Sequence, residues 1–368
     1  MKPILPLTVT LALLLWGAAL QAQILIGQTV GVTGAVAATV NEASVGAQLY
    51  IDAINAKGGV NGEKIEILTL DDKFDPKLTA LNARKLIEEK GVIALFMSRG
   101  TPHTEVIIPL LDQYGVPLIG PSTGAMVFHQ PVQRHIFNVR ATYQREAEKA
   151  IAHLASIGIT RIAVIHVDDT FGADGLQGAQ NGLAAAKLKP VALQKFDRSK
   201  PDFSAIAPLV VKAEPQAILI IGSGTAVVDA IKAVKAAGSG AQLVTLSNNA
   251  SSGFVKLLGE QGRGVIVTQV LPQTFRYAFV KEATQLANAH SIQYLSPAML
   301  EGFATAKVLV EALRRSGPKP TRERLQAALE GLQKYELGGL VISYSPTSHT
   351  GLDFADLSII SADGKFRR

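Results

Sequence analysis

The chain has 368 residues, 48% hydrophobic and 18% charged, which is enough apolar material for two packed domains of roughly 100–200 residues and too little charge for a disordered chain. The absence of cysteine excludes disulfide scaffolds, thiolate metal sites and cysteine nucleophiles. With a net charge of +6, dispersed basic residues and 6% aromatic residues, the sequence predicts no binding of nucleic acid.

The first 22 residues have the three-part pattern of a secretory signal peptide. Lys2 precedes an apolar stretch that is densest over residues 11–20, and Ala22 supplies a small residue at the expected cleavage point. That dense run is shorter than the ~20 residues that span a bilayer. We therefore predict that residues 1–22 are a cleaved signal peptide, the alternatives being a buried N-terminal element or a membrane anchor.

From residue 23 onward, short apolar runs alternate with longer amphipathic stretches. The pattern predicts strands at 24–27, 64–70, 92–97 and 116–119, with helices at 45–56, 76–89 and 105–114. After residue 142 the same alternation predicts strands at 161–167, 191–196, 217–221, 242–246 and 264–269, with helices at 143–157, 175–188, 203–212, 226–237 and 252–258. Helices at 277–289, 297–315 and 321–332 follow, and then a tail of short strands and turns. Two runs of strand–helix alternation predict an α/β fold of two doubly wound, parallel-sheet lobes.

Ligands of open parallel sheets bind beyond the carboxyl ends of the strands, so the loops that follow the strands are candidate binding loops. The loops at 98–104 and 120–125 contain small residues and hydroxyls, a composition suited to a carboxylate. The alternative is ordinary helix capping by Thr101 and by Ser122 or Thr123. The loop at 222–226, which includes Gly224, has two glycines of a nucleotide fingerprint and lacks the third.

Sequence motifs of catalysis and metal binding are not found. The chain has neither a Gly-x-Ser-x-Gly elbow nor a Gly-Lys-Thr phosphate loop, and its seven histidines are scattered. We interpret His166 as a core residue and His103 as a solvated loop residue. The paired acids at 71–72 and 168–169 could bind metal or act as general acids, but compensation of helix N-termini is the favoured interpretation. The sequence thus predicts no catalytic residues, no metal and no cofactor.

Several segments resemble one known family. Residues 52–62 read Asp-Ala-Ile-Asn-Ala-Lys-Gly-Gly-Val-Asn-Gly and lead into the strand at 64–70 and the acids at 71–72. Further matches are residues 115–124, residues 161–172 and the helix at 300–313. The chain resembles the branched-chain amino-acid binding proteins of ABC transporters, which have the type I periplasmic binding protein fold.

The resemblance implies a two-lobed clamp with three crossing segments. Lobe I would comprise residues 23–141 plus 270–340, and lobe II residues 142–269 plus 341–368. The resemblance also implies candidate ligand-binding residues: Gly100 and Thr101 for the ligand carboxylate, Ser122 and Gly124 for an amino group, Phe171 as an aromatic cover, and Thr123 and Gly224 beside them. Gly124 lacks the hydroxyl of the family pattern. Ser247 and Asn248 stand where amino-acid binders of the family place an acid.

Arg99, directly before Gly100, brings a permanently charged guanidinium to this site, which is suited to a carboxylate. We therefore predict a periplasmic solute-binding protein that captures a small carboxylate-bearing molecule, an anionic organic or aromatic acid, and delivers it as a monomer to an inner-membrane ABC permease. The alternatives are an amino-acid ligand and a sensory role. For Arg99 itself, the alternative is a side chain that reaches solvent or pairs with Asp71 or Asp72.

Overall fold

The computed structural model describes residues 23–368, so the predicted signal peptide lies outside the described residues. The strands are β1 (Gln23–Val30), β2 (Lys64–Asp71), β3 (Ala94–Phe96), β4 (Leu118–Ile119), β5 (Ile136–Phe137), β6 (Ile162–Val167), β7 (Ala192–Phe196), β8 (Ala217–Ile221), β9 (Gln242–Thr245), β10 (Ile266–Gln269), β11 (Tyr335–Glu336), β12 (Val341–Ile342), β13 (Asp356–Ile360) and β14 (Phe366–Arg367). The α-helices are α1 (Ala37–Asn55), α2 (Pro76–Glu88), α3 (Thr101–Glu105), α4 (Ile108–Tyr114), α5 (Tyr143–Ser156), α6 (Thr170–Ala185), α7 (Ile206–Lys212), α8 (Thr225–Ala236), α9 (Ser252–Leu258), α10 (Ala278–Ala289), α11 (Pro297–Ser316) and α12 (Arg322–Glu330).

Two separate sheets confirm the predicted two-lobed α/β fold. The first sheet has the strand order β2-β1-β3-β4-β5 and is parallel throughout. The second has the order β14-β13-β10-β9-β8-β6-β7, in which β13 is antiparallel to both of its neighbours, β10 and β14, and the other neighbouring pairs are parallel. We call the parts of the chain built on these sheets the first lobe and the second lobe.

Side-chain caps begin several helices at the positions that local chemistry favours. The Asp75 side chain accepts the Lys77 N–H at 2.8 Å, and Pro76 opens α2 with its backbone already in a helical conformation. Thr142 caps α5 by accepting the Arg145 N–H at 3.1 Å. These caps direct α2 and α5 away from the strand ends and leave the intervening loops at the carboxyl edges of the sheets.

The third crossing between the lobes lies later than the predicted boundary at 340/341. Strand β12 pairs with β11, and Ile342, Tyr344 and Leu352 are buried with the core of the first lobe. The Leu352 N–H donates to the Val139 carbonyl oxygen at 3.0 Å. Residues 341–352 therefore pack with the first lobe because their apolar side chains complete its core, and the chain enters the second sheet only at β13.

Candidate functional site

The structure places most of the predicted site residues at the carboxyl edges of the two sheets. Arg99 and Gly100 lie between β3 and α3, Thr101 is the first residue of α3, and residues 122–124 follow β4. Phe171 is in the first turn of α6, Gly224 immediately precedes α8, and Ser247 and Asn248 form a 3-10 turn after β9. All of them except Gly100 are buried. Because these edges face each other, residues from both lobes come together there.

Arg99 joins the two edges through hydrogen bonds. Its side chain is buried, with Nη1 donating to Ser122 Oγ at 3.0 Å and Nη2 donating to the Asn248 carbonyl oxygen at 2.5 Å. Burial lowers the pKa of this guanidinium below its ordinary value. Within residues 23–368, no carboxylate forms an ion pair with Arg99.

The two alternatives for Arg99 are both wrong. The side chain does not reach solvent, since only 3% of the residue is exposed. Asp71 is instead bonded to the hydroxyl and N–H of Thr33, and Asp72 accepts the Thr79 hydroxyl at 2.9 Å. Both acids therefore have hydrogen-bond partners inside the first lobe, and neither pairs with Arg99, whose side chain lies in the cleft between the lobes.

Glu301 of α11 is a site residue that the sequence reasoning missed. Its Oε1 accepts the Ser122 hydroxyl at 3.0 Å and lies 3.5 Å from Nη1 of Arg140. Ser122 therefore links Arg99 to Glu301 through one hydroxyl. The available signal was a glutamate within the apolar run of α11, because a carboxylate in a buried helix face requires polar partners.

Arg140, at the first crossing between the lobes, is fully buried and belongs to the same network. It contacts the carboxylate of Glu146, donates to Ser247 Oγ at 2.7 Å, and lies 4.7 Å over the ring of Tyr143. Burial by itself would lower the pKa of Arg140, but the Glu301 and Glu146 carboxylates raise it above its ordinary value.

An acid from another element, Glu146 of α5, lies beside Ser247. The Ser247 N–H donates to Glu146 Oε2 at 2.9 Å, and the Thr268 hydroxyl donates to the same oxygen. The sequence window around Ser247 could not show this, because Glu146 comes from α5. The cluster holds two arginines and two glutamates, with Arg140 contacting both glutamates and Arg99 contacting neither.

Thr101 and Thr123, one from each strand-end loop, contact each other instead of capping helices. Thr101 Oγ1 and Thr123 Oγ1 are 2.8 Å apart, and the residue that precedes α3 is Gly100, which makes no side-chain cap. The Gly124 carbonyl oxygen accepts the Tyr143 N–H at 2.8 Å. A Cβ on Gly124 would lie 2.6 Å from the Ala141 carbonyl oxygen, so this position packs against the first crossing segment.

Phe171 and Gly224 take part in contacts at the cleft. The Phe171 ring lies 4.6 Å from the ring of Tyr143, an aromatic residue that the sequence reasoning did not assign to the site. Gly224 has φ +57°, and a Cβ there would lie 1.8 Å from the Ala35 carbonyl oxygen. That same oxygen accepts the Thr225 N–H at 3.1 Å. Gly224 is therefore a point of direct contact between the lobes.

A further set of bonds joins the lobes through α1 and α9. The two carboxylate oxygens of Glu42 accept the N–H groups of Ser252 and Gly253 at 3.0 and 2.7 Å. The hydroxyls of Thr39 and Ser251 are 3.0 Å apart. The structure thus has its lobes in contact around the buried cluster.

The remaining candidates of the sequence analysis have structural roles. His103 is wholly buried, so its interpretation as a solvated loop residue is wrong; burial lowers its pKa to about 4. His166 is buried in β6, and Asp169 caps α6. Among residues 23–368 there is no group of three or more His, Asp or Glu side chains that could hold a metal ion. In the same residues, no helix is both long enough and apolar enough to cross a membrane.

Comparison with known proteins gives one family match and several relatives. Residues 23–357 match the family model described as "Periplasmic binding protein". The chain is 23% identical over 238 residues to the Leu/Ile/Val-binding protein of Escherichia coli K12, covering 64% of this chain and 65% of that protein's length. It is 24% identical over 306 residues to the leucine-, isoleucine-, valine-, threonine- and alanine-binding protein of Pseudomonas aeruginosa, covering 80% of each. The match to the Escherichia coli protein therefore spans slightly less than two thirds of that relative.

Solved structures share the fold over nearly the whole chain. A substrate-binding periplasmic protein from Ralstonia solanacearum has a TM-score of 0.86 at 30% identity, covering 94% of this chain and 99% of that one. A solute-binding protein of an ABC transporter from Rhodopseudomonas palustris, solved in complex with benzoate, has a TM-score of 0.83 at 17% identity, covering 94% and 95%. At that identity, the second likeness shows the fold alone.

Proposed function

Because the chain belongs to the periplasmic binding protein family, we propose that it captures a small carboxylate-bearing solute between its two lobes and that Arg99 holds the carboxylate. Family members are binding proteins, and the proposed role is capture followed by delivery to an inner-membrane ABC permease. The proposed location is the periplasm, and the proposed working form is a monomer that carries no catalytic group, metal or cofactor.

The observation that carries the proposal is that no carboxylate of residues 23–368 forms an ion pair with Arg99. Arg140 contacts both buried glutamates, whereas the hydrogen-bond partners of the Arg99 guanidinium among residues 23–368 are one hydroxyl and one backbone carbonyl oxygen. A buried cation without a carboxylate is costly, and an incoming carboxylate relieves that cost with short charge-assisted bonds. This supports an anionic organic or aromatic acid as the ligand.

A second candidate, an amino acid, is favoured by Glu301. Its Oε1 is shared by Ser122 and Arg140, while its Oε2 has no hydrogen bond to any residue of 23–368. An α-ammonium beside a carboxylate held by Arg99 would find an acceptor at Oε2. The two relatives described above carry amino-acid names, which also supports this candidate.

A paired screen separates the two candidates. The thermal unfolding of residues 23–368 is measured with succinate, benzoate and leucine, and with succinamide, benzamide and leucinamide as matched neutral or cationic controls. A ligand at 100 times its Kd stabilises the folded state by about 2.7 kcal/mol, a shift of several degrees. We expect one acid to raise the melting temperature and its amide to have no effect.

The ligand proposal is contradicted if an amide stabilises as much as its acid, since the carboxylate would then contribute nothing. If a broader panel of organic acids and amino acids leaves the melting temperature unchanged, the proposal of a small carboxylate fails as a whole. Stabilisation by leucine and not by the organic acids would identify the second candidate.

A further inference from the structure

Three stacked side chains, His103, Phe74 and Arg198, connect the lobes beside the buried cluster that contains Arg99. The two that belong to the first lobe depend on a sharp corner of the backbone at residues 73–74. Between β2 and α2, Lys73 has φ +52° and Phe74 has φ +60°, a left-handed conformation that is rare for a bulky aromatic residue. The wholly buried Asp72 supports the corner, with Oδ1 accepting the Phe74 N–H at 2.9 Å and Oδ2 accepting the Thr79 hydroxyl at 2.9 Å. The corner thus holds Phe74 at the rim of the first lobe.

The Phe74 ring is fixed by His103 on one side. The two rings are parallel to within 11°, with their centroids 4.2 Å apart. Gly100 makes room for both, since a Cβ there would lie 2.7 Å from His103 Nδ1 and 2.9 Å from Phe74 Cε2. Phe74 and His103 therefore form a rigid aromatic platform that belongs to the first lobe.

The other side of Phe74 is covered by Arg198 from the second lobe. The Arg198 Cζ lies 5.0 Å from the Phe74 ring centroid, within the range of a cation–π contact. Arg198 Nε donates to Asp169 Oδ2 at 2.5 Å, and Asp169 Oδ1 accepts the Gly172 N–H at 3.0 Å to cap α6. Asp169 thus connects Arg198 to the helix that carries Phe171.

We infer that Arg198 is a closure residue, meaning that it stabilises the closed arrangement of the lobes by stacking on Phe74. Arg198 is a positioning residue in this role, and it sets how long the ligand stays bound. This rests on the proposed function. Arg198 can reach Phe74 only when the lobes are together, so its contact favours the closed state over the open one. A cation–π contact of this partly exposed kind changes that equilibrium by roughly two- to tenfold.

A tryptophan probe tests the inference without any ligand. The single tryptophan of the sequence is Trp16, so residues 23–368 contain none, and Phe74→Trp introduces one indole at the platform. We expect Arg198→Ala in this background to shift the indole emission toward that of a solvated tryptophan, and Arg198→Lys to shift it less. The control is Lys195→Ala, because Lys195 is exposed and pairs with Asp168 of its own lobe at 2.8 Å.

Small-angle scattering on chains that keep Phe74 gives a second measurement that does not depend on the probe. We expect a larger radius of gyration for Arg198→Ala than for the parent and the Lys195→Ala control, with all three measured without ligand. Equal radii together with equal emission would overturn the inference. Either result leaves the proposed ligand chemistry standing, because no ligand is present in this experiment.

Ligand kinetics complete the test once the screen has supplied a ligand. If Arg198 is a closure residue, Arg198→Ala is expected to raise the dissociation rate of the ligand about two- to tenfold and to change its association rate less than twofold. A slower association with an unchanged dissociation rate would mean that Arg198 attracts the ligand by charge, which would overturn the closure role. Recovery of a slow dissociation rate by Arg198→Lys would support it.

Discussion

Nη2 of Arg99 lies 2.5 Å from the carbonyl oxygen of Asn248, so a guanidinium of the first lobe is bonded to the backbone of the second. The same group donates to Ser122 of its own lobe through Nη1. Arg99 can therefore bind a ligand and also loses a hydrogen bond when the lobes separate. It is the first residue to mutate.

Arg99→Ala is expected to weaken binding of the carboxylate ligand by about 30-fold or more. Truncating one partner of a buried charge pair typically costs ~2–5 kcal/mol, whereas a solvated pair contributes ~0–1. Isothermal titration with the ligand from the screen measures the change. The control is Arg145→Ala, whose side chain is 47% exposed and pairs with Asp353 at 3.6 Å. A loss below about threefold for Arg99→Ala would contradict its assignment as the carboxylate-binding residue.

Glu301→Gln is expected to distinguish the two ligand classes. For an organic acid we expect affinity to stay within about threefold or to improve, because the change removes a negative charge near the ligand. For an amino acid we expect a loss of about 30-fold or more, because the ammonium loses its carboxylate partner. Titration of both ligand classes measures this, with the exposed Glu323→Gln as control. Equal effects on the two classes would show that Glu301 does not contact the ligand's second group.

Stability is expected to fall as the pH drops from about 6.5 to about 4. Burial lowers the pKa of both His103 and His129 to about 4, the positive charge of Arg140 adding to the effect on His129. A histidine of the unfolded chain has its ordinary pKa of about 6.5, whereas these two have a pKa of about 4 in the folded chain. Between pH 6.5 and pH 4 the unfolded chain therefore binds protons that the folded chain does not bind, so acid favours unfolding. The expected loss is about 3 kcal/mol for each histidine, complete below pH 4 and absent above pH 7.

Urea unfolding of the parent and of His129→Gln at pH 7 and pH 4.5 tests the contribution of His129. The glutamine can keep a bond to the Thr350 hydroxyl, which lies 3.0 Å from His129 Nδ1, but it takes up no proton. We expect a smaller difference between the two pH values for the variant than for the parent. The exposed His290→Gln should behave like the parent. An unchanged pH dependence in His129→Gln would show that His129 does not titrate as argued.

Gly224→Ala is expected to keep the lobes apart and to weaken ligand binding. The alanine Cβ would lie 1.8 Å from the Ala35 carbonyl oxygen of the other lobe, so the contact could not form. Gly238→Ala is a matched control, since Gly238 also has a positive φ, +88°, but no atom within 4 Å of its Cβ position. We expect small-angle scattering to give a larger radius of gyration for Gly224→Ala than for the parent, and an unchanged radius for Gly238→Ala. Equal radii for the two variants would contradict the contact.

The fold could be predicted because its signals are local. Helix α9 has the bounds that its apolar spacing predicts, and most strands lie within two residues of their predicted ends. Helix α1 begins at Ala37 instead of residue 45, because its first turns are small and polar and are buried only by other elements. Strand β5, with two residues, is too short for periodicity to predict.

The site could be predicted only in part. Arg99 and Ser122 follow adjacent strands of one parallel sheet, so strand order alone predicts that they lie close together. Arg140, Glu146 and Glu301 reach the site from a crossing segment and from two helices, and no local pattern shows which helix face meets the cleft. These three residues add one positive and two negative charges to the site.

The late return of the chain to the second sheet has a consequence for how the protein folds. Strand β13 pairs with β10 across about 90 intervening residues, and α11 packs on α1 across about 250. Neither lobe can be completed from a continuous stretch of sequence, so both must wait for the C-terminal third of the chain. Native contacts of such long range slow folding. We therefore expect the native fold to be completed only after the C-terminal third of the chain has been synthesised.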